Sequence, residues 1–418
     1  MAGNGLVADP RIRAARSLIL FLAGVAGLAS LPAGRGWIEA PALEPRPAKG
    51  AAAALSSVTL WVPARGGYLN DWRRAAERAS SSGAGPRIQV APMWADYWAT
   101  LTLSLAEGNA PPLLVVDPDI AARLASRGWL ADVSALAARR NLEVLRRAFA
   151  WEGRTFAVPG FADPALLYLN VDRLRGAGVD PSAQPWTWES LRQAARRVAE
   201  PASGTWGFPV NGWPPLELFV WQAGGWVVEP PGRLWEDPGP LWRAASFYRG
   251  FVRERLSPAP PASWQQTLDA YYRAGRAGMM IGLYSDPLDR PERLAVAFQS
   301  RPARLPVGPS GQPVGWVWGE GVAASAPASA EALAALAALT TALAELGPLP
   351  PTARRAGADA VALAELEFAR APAGLERRLE FSAAWWEHVV APLLSQPEPL
   401  DLARLLEQAR SHLAAALR

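Results

Sequence analysis

An α/β fold built on mostly parallel sheet, extending beyond one ordinary compact core, is what this 418-residue sequence predicts. The first observation is alternation: apolar, β-branched runs and helical patterns succeed one another from about residue 58 onward. The second is length, which favours two or three domains or one large two-lobed body. The third is composition, 50% hydrophobic and 19% charged, the profile of a soluble globular chain rather than a disordered or membrane-spanning one.

Taken in order, residues 58–62 predict a strand, 68–80 a helix, 87–91 a strand, 94–107 a helix and 112–116 a strand. Such a βαβαβ run predicts helices on both faces of a parallel sheet, with ligands beyond the carboxyl ends of the strands. Short helices are expected over 119–127 and 132–148. A second α/β stretch is expected to begin with strands at 155–158 and 165–170, followed by helices near 171–177, 187–199, 214–223, 238–255 and 263–274. Thr187, before Trp188-Glu189, reads as a helix N-cap. Strands return at 278–282 and 313–322, an Ala/Leu-rich helix spans 328–346, and the tail is helical from about 375. No internal repeat is evident.

The front of the chain differs from the rest. Residues 1–55 carry six basic and three acidic side chains, so +3 of the net +4 lies there and the body is nearly neutral. A nucleic-acid partner is therefore not expected. Arg11, Arg13 and Arg16 precede an apolar run, Ser17 to Leu31, that Pro32 ends: the order of a secretory leader. Fifteen residues fall short of the about 20 needed to span a bilayer, so a signal peptide over 1–42 is expected, with Ala40-Pro41-Ala42 as its cleavage site and 43–55 as a linker. An exported, periplasmic protein follows from that reading.

Absence of cysteine excludes disulfides, thiolate metal sites, thiol nucleophiles and a cysteine-borne lipid anchor. The two histidines, His388 and His412, have no zinc spacing, so no metal and no cofactor are expected. Neither a Gly-x-Ser-x-Gly elbow nor a phosphate-binding loop is present, and nothing resembles a hydrolase motif, so a binding protein is expected rather than an enzyme.

A set of motifs in order goes further. Gly153-Arg154-Thr155-Phe156-Ala157-Val158-Pro159, Leu167-Tyr168-Leu169-Asn170-Val171-Asp172-Arg173-Leu174, Gly176-Ala177-Gly178-Val179-Asp180-Pro181 and Pro185-Trp186-Thr187-Trp188-Glu189-Ser190-Leu191 come first. Gln222-Ala223-Gly224-Gly225, Ala277-Gly278-Met279-Met280-Ile281, Leu305-Pro306-Val307-Gly308-Pro309 and Gly315-Trp316 follow. Over roughly residues 56–395 the sequence resembles the family 1 extracellular solute-binding proteins, the maltose-binding-protein-like receptors of ABC importers. That resemblance implies a periplasmic-binding-protein-like fold, two α/β lobes joined by a hinge with a ligand cleft between them. It places the crossings near Phe161–Pro164, Trp316–Glu320 and Leu349–Thr352. Lobe 1 would be 43–162 with 320–350, and lobe 2 would be 163–319 with 351–418. It further implies a monomer that closes on a sugar and is recognised by ABC permease membrane subunits. One departure lies after the Met-Met strand, where Gly282-Leu283-Tyr284-Ser285 offers a single aromatic.

The side chains agree with a sugar. Twenty tryptophans supply flat, weakly polar faces for pyranose rings, and ionised carboxylates accept paired hydroxyls. Asp117 and Asp119 follow the third strand, where such a sheet opens its cleft, and Asp163 falls in the first implied crossing. Trp213 opens a Gly-Trp-Pro-Pro helix entrance, Trp316 and Trp318 flank the second crossing with Glu320, and Trp385-Trp386 lie where the family often places a cleft aromatic. Tyr284 and Trp94 complete the candidates. Adjacent helical residues point about 100° apart, so one of Trp385 and Trp386 is expected to face a ligand. Trp186, Trp188 and Trp221 read as structural. The same mix of acids and indoles would also suit a polyamine, and the fold a glycerol phosphate or another small solute.

Overall fold

The computed structural model describes residues 57–64, 68–83, 85–94, 96–229, 232–258, 269–286, 298–355, 357–396 and 399–418. The predicted leader and linker lie outside them. Strand β1 (Ser57–Pro63), helix α1 (Tyr68–Ser81), β2 (Arg87–Met93), α2 (Tyr97–Ala106) and β3 (Leu113–Val116) form the anticipated βαβαβ unit. Both neighbours of β1 run parallel to it, Leu60 facing Val90 on β2 and Leu113 on β3. Strand pleating sorts the side chains: Val58, Leu60, Val62, Leu113 and Val115 enter one apolar layer, while Leu114 and Val116 enter the opposite one. Helix α2 begins later than predicted because Asp96 caps it, accepting the Ala99 N–H at 3.2 Å and leaving Trp94 in the connection.

Helix α3 (Pro118–Ser126) follows at once, capped by Asp117. The single helix expected over 132–148 is instead two, α4 (Ser134–Ala137) and α5 (Glu143–Ala148). Arg140 lies in the break and is buried there, bonded to backbone carbonyls of other segments. A hairpin of β4 (Ala150–Trp151) and β5 (Arg154–Thr155) leads to β6 (Val158–Asn170).

β6 is one strand of 13 buried residues where the sequence suggests two. Its prolines obscured this, because proline cannot donate within a ladder. Both sit at irregular points: Pro159 pairs Gly321 beside a register shift at Glu320/Gly321, and Pro164 is where β6 passes from one partner to another. Residues 158–164 pair antiparallel with β11 (Gly315–Ala324), whose 321–324 pair with β3. Residues 165–170 pair with β9 (Met279–Leu283) and β10 (Ser300–Ala303). The sheet order is β10-β6-β11-β3-β1-β2, with β9 also on β6 and β12 (Ala369–Arg370) on β11, so β6 and β11 belong to both lobes.

In the second lobe, α6 (Val171–Gly176), α7 (Trp188–Val198), α8 (Leu216–Gln222), the hairpin of β7 (Val228–Glu229) and β8 (Arg233–Leu234), α9 (Gly239–Arg253) and α10 (Asp269–Arg273) precede β9. Thr187 caps α7 in a capping box with Ser190. Trp186, Trp188 and Trp221 are buried in this lobe's core. Helix α11 (Ala330–Leu346) returns to the first lobe, packing Leu336, Leu339 and Leu343 against the β1–β3 layer. Helix α12 (Ala358–Leu366), α13 (Arg378–Trp385), a π-helical turn (Trp386–Val390), α14 (Ala391–Ser395) and α15 (Leu402–Leu417) finish the chain. β10 and α12 escape the sequence reading: β10, Ser-Arg-Pro-Ala, has almost no apolar signal, and α12 leaves Leu363 exposed.

A candidate ligand site where the lobes join

The first turns of α1 touch each of the three connections between the lobes. Tyr68, Asp71 and Trp72 lie at i, i+3 and i+4 and so share a helix face. The Tyr68 hydroxyl donates to Asp163 on β6, and Trp72 Nε1 donates to Glu320 on β11 at 2.7 Å. Asp71 accepts the Thr352 N–H and its Oγ1 hydroxyl, each at 2.7 Å, in the 3-10 turn Pro351–Ala353. Gly160 admits the Trp72 ring: a Cβ there would lie 2.5 Å from Trp72 Cη2 and 2.9 Å from the Glu320 carbonyl oxygen. Arg140 ties the same region together, donating to the carbonyls of Pro159 (3.1 Å), Gly160 (2.7 Å), Leu343 (2.7 Å) and Gly347 (3.2 Å). Burial lowers its pKa to about 10, which still leaves it charged at neutral pH.

Asp163 is fully buried at the centre. Its Oδ1 accepts the Ser285 N–H at 2.9 Å, and its Oδ2 accepts the Ser285 hydroxyl at 2.6 Å together with Tyr68. A carboxylate offers about four acceptor positions, so these three bonds leave roughly one for a further donor. Burial pushes the Asp163 carboxyl up to about 6, against the opposing effect of the bonds from Ser285 and Tyr68. Burial and the neighbouring Asp163 raise the Tyr68 phenol well above its ordinary value, so it remains a donor.

Indoles flank this carboxylate. Pleating puts Trp316, Trp318 and Glu320 on one face of β11, and Trp318 stands directly opposite Asp163 in the ladder. Tyr68 meets Trp318 edge-on at 5.5 Å, and Trp213 meets Trp316 at 5.2 Å and 87°. Trp213 is fixed by its Nε1–H on the Ile281 carbonyl at 2.8 Å. Trp386 lies over Gly212, whose φ is +104° and whose hypothetical Cβ would stand 2.4 Å from Trp386 Cζ3. Trp213, Trp318 and Trp386 are partly buried; Trp316 is buried, and its Nε1–H has no partner among the described residues. Gly212→Ala is therefore expected to displace the Trp386 ring and strain the backbone, costing about 1–3 kcal/mol in a urea melt.

The other predicted residues stand apart from this group. Asp117 caps α3, accepting the Asp119 N–H at 3.1 Å. Asp119 pairs with Arg378 at 3.3 Å, and Arg378 also holds Glu217 with two bonds of 3.2 Å. The Tyr284 ring is turned toward α12, its hydroxyl on Asp359 at 2.7 Å and the Arg355 guanidinium 4.7 Å above it. Trp385 is buried in the second-lobe core, stacked on Phe381 at 6.5 Å, whereas its neighbour Trp386 reaches Gly212. Trp94 stands 79% exposed. Tyr68, Ser285, Trp72, Arg140 and Arg378 were missed by sequence reasoning. A signal exists for Tyr68, which follows Gly66-Gly67 beyond the carboxyl end of β1, and for Ser285, one residue past Tyr284.

Two α/β lobes sharing strands β6 and β11, with a buried carboxylate and a group of indoles at the junction, define the class of two-lobed binding proteins. Residues 80–344 match the family model described as bacterial extracellular solute-binding protein, and the chain belongs to that family. A Streptomyces antibioticus protein named as an uncharacterized lipoprotein in the oleD 5' region is 33% identical over 115 residues, 26% of this chain and 25% of that protein. The mannitol-binding protein of Pseudomonas aeruginosa is 25% identical over 197 residues, 43% of this chain and 44% of its own. The chain thus spans under half the length of these curated relatives. Among solved structures, the cyclic alpha-maltosyl-1,6-maltose binding protein of Arthrobacter globiformis superposes with a TM-score of 0.71 at 18% identity, over 86% of this chain and 98% of that one.

Proposed function

We propose that this protein is an exported, non-catalytic receptor of an ABC importer, a monomer that takes a sugar or oligosaccharide between its lobes and presents it to the permease subunits. The single observation that carries the reading is the junction itself. Asp163, braced by Tyr68 from one lobe and Ser285 from the other, stands opposite Trp318; Trp316, paired with Trp213, follows on the same face of β11, and Trp386 packs on Gly212 beside Trp213. Flat indole faces suit sugar rings, and a carboxylate with an acceptor position to spare suits a hydroxyl. The names of the mannitol-binding and maltosyl-maltose-binding relatives point the same way. In this reading lobe 1 is 43–162 with 320–350 and lobe 2 is 163–319 with 351–418, a division supported by the change of partner along β6 at Pro164.

Ligand contact falls on Asp163, Trp213, Trp316, Trp318 and Trp386 in this reading, while Glu320 acts as a hinge brace through Trp72. Tryptophan fluorescence of residues 43–418 tests it against mannitol, maltose, cyclic maltosyl-maltose, spermidine and glycerol 3-phosphate. A saturable shift with a sugar, lost in Trp213→Ala, supports the reading. Response to spermidine or glycerol phosphate alone rejects the sugar. Affinity is also expected to fall as pH drops below about 6, because protonated Asp163 loses acceptor capacity, and Asp163→Asn should flatten that dependence in a calorimetric titration.

A further inference from the structure

Away from the shared strands the lobes meet again through charge. Helix α3 of the first lobe presents Asp119 and Arg123 to α13 of the second, whose contribution is Arg378 and Glu380. Asp119 bonds Arg378 at 3.3 Å, Arg123 pairs with Glu380, and Arg123 Nε donates to the Glu376 carbonyl at 3.2 Å. The two basic groups are almost covered, with side chains 8% and 9% exposed, while their acidic partners across the boundary keep 41% and 39%.

The asymmetry of Arg378 matters most. It is paired twice with Glu217 of its own lobe, so that buried ion pair is complete whether the lobes are together or apart. Burial opposes the Arg378 charge, but Glu217 and then Asp119 more than overcome it, and the guanidinium is held charged. Parting the lobes would therefore break Asp119–Arg378 and the Arg123 bonds without stranding a buried charge, and both acidic ends already reach solvent. Such contacts are weak enough to open and strong enough to bias a hinge.

We infer that Asp119, Arg123, Arg378 and Glu380 form an ionic latch between the lobes, which keeps the protein substantially closed before any ligand arrives and sets how fast a ligand is released. These are positioning residues. The latch goes beyond the sugar reading and rests only on the two-lobed fold, so its ligand-free test stands even if the sugar assignment fails. Each pair is worth a few-fold in the closed population, and together they are expected to shift it by about tenfold.

Because the chain has no cysteine, Glu107→Cys on the first lobe and Glu407→Cys on the second give two unique spin-labelling sites, both exposed. Pulsed electron spin resonance on the ligand-free protein should find a short distance well populated. Arg123→Gln with Glu380→Gln should move population to a longer distance, and 0.5 M NaCl should do so in part, since partly exposed pairs are screened. Asp119→Asn, which leaves Arg378–Glu217 intact, is a second, separate variant should the first melt early. A distance distribution unchanged by either folded variant and by salt, or a wholly long distance in the unsubstituted pair, overturns the latch.

Discussion

Arg140→Met is expected to destabilise the protein by roughly 3–5 kcal/mol, because it takes the donor from several buried carbonyl oxygens at once. Its guanidinium serves four carbonyl oxygens, and no carboxylate takes part among those bonds. Leu343 lies in the last turn of α11, where the helix dipole favours a cation, and Gly347 opens the third connection between the lobes. The Leu343 oxygen also accepts the Gly347 N–H at 3.1 Å, but the Pro159 and Gly160 carbonyls belong to β6 close to Asp163. Methionine would fill the volume and satisfy none of the carbonyls, each costing about 1–3 kcal/mol if left unpaired. Urea denaturation reads the loss directly. A loss under 1 kcal/mol would mean that backbone or water replaces the guanidinium at little cost.

Asp163→Ala carries the largest expected effect on binding, a loss of at least about 100-fold, because it removes the carboxylate that accepts from the Tyr68 hydroxyl and from the Ser285 N–H and hydroxyl together. Asp163→Asn separates charge from shape. In the native state burial raises the carboxyl to about 6, whereas an ordinary aspartate titrates near 3.8, so between pH 4 and 6 the folded protein holds a proton that the unfolded chain has released. Stability from this group therefore falls as pH rises from 4 to 6 and stays lower above 6, by about 3 kcal/mol. Asn lacks that titration. Melts across pH 4 to 8 should show the wild-type decline and its absence in Asp163→Asn, with the variant relatively more stable above pH 6 and still the weaker binder.

Much of the fold was legible in the sequence because several of its strands are continuous apolar runs and several of its helices carry side-chain caps. Val58–Val62, Leu113–Val116 and Thr187 each announced their roles through local chemistry. β6 did not, since Pro159 and Pro164 mimic strand ends, and only the change of partner along the strand explains why both are tolerated. The break between α4 and α5 was equally invisible, as Arg140 finds its acceptors on β6 and at the C-terminal end of α11 rather than nearby in sequence.

The candidate site was legible where a residue lies on a crossing and obscure where it comes from elsewhere. Asp163, Trp316, Trp318 and Glu320 could be named because the motif order located β6 and β11. Tyr68 and Ser285 act through bonds spanning 95 and 122 residues, a separation that no local pattern encodes. Trp385 and Trp386 show the limit of periodicity: it separates the two faces, but which ring enters the core follows from Phe381 and Gly212.

Hydrogen–deuterium exchange with and without the sugar that titrates tests the central claim most directly, that ligand is held at the junction of the lobes. Slower exchange is expected in peptides covering 68–75, 159–170, 283–286 and 316–322, together with those around Trp213 and Trp386. Protection confined to an outer face of either lobe, with these segments unchanged, would contradict it.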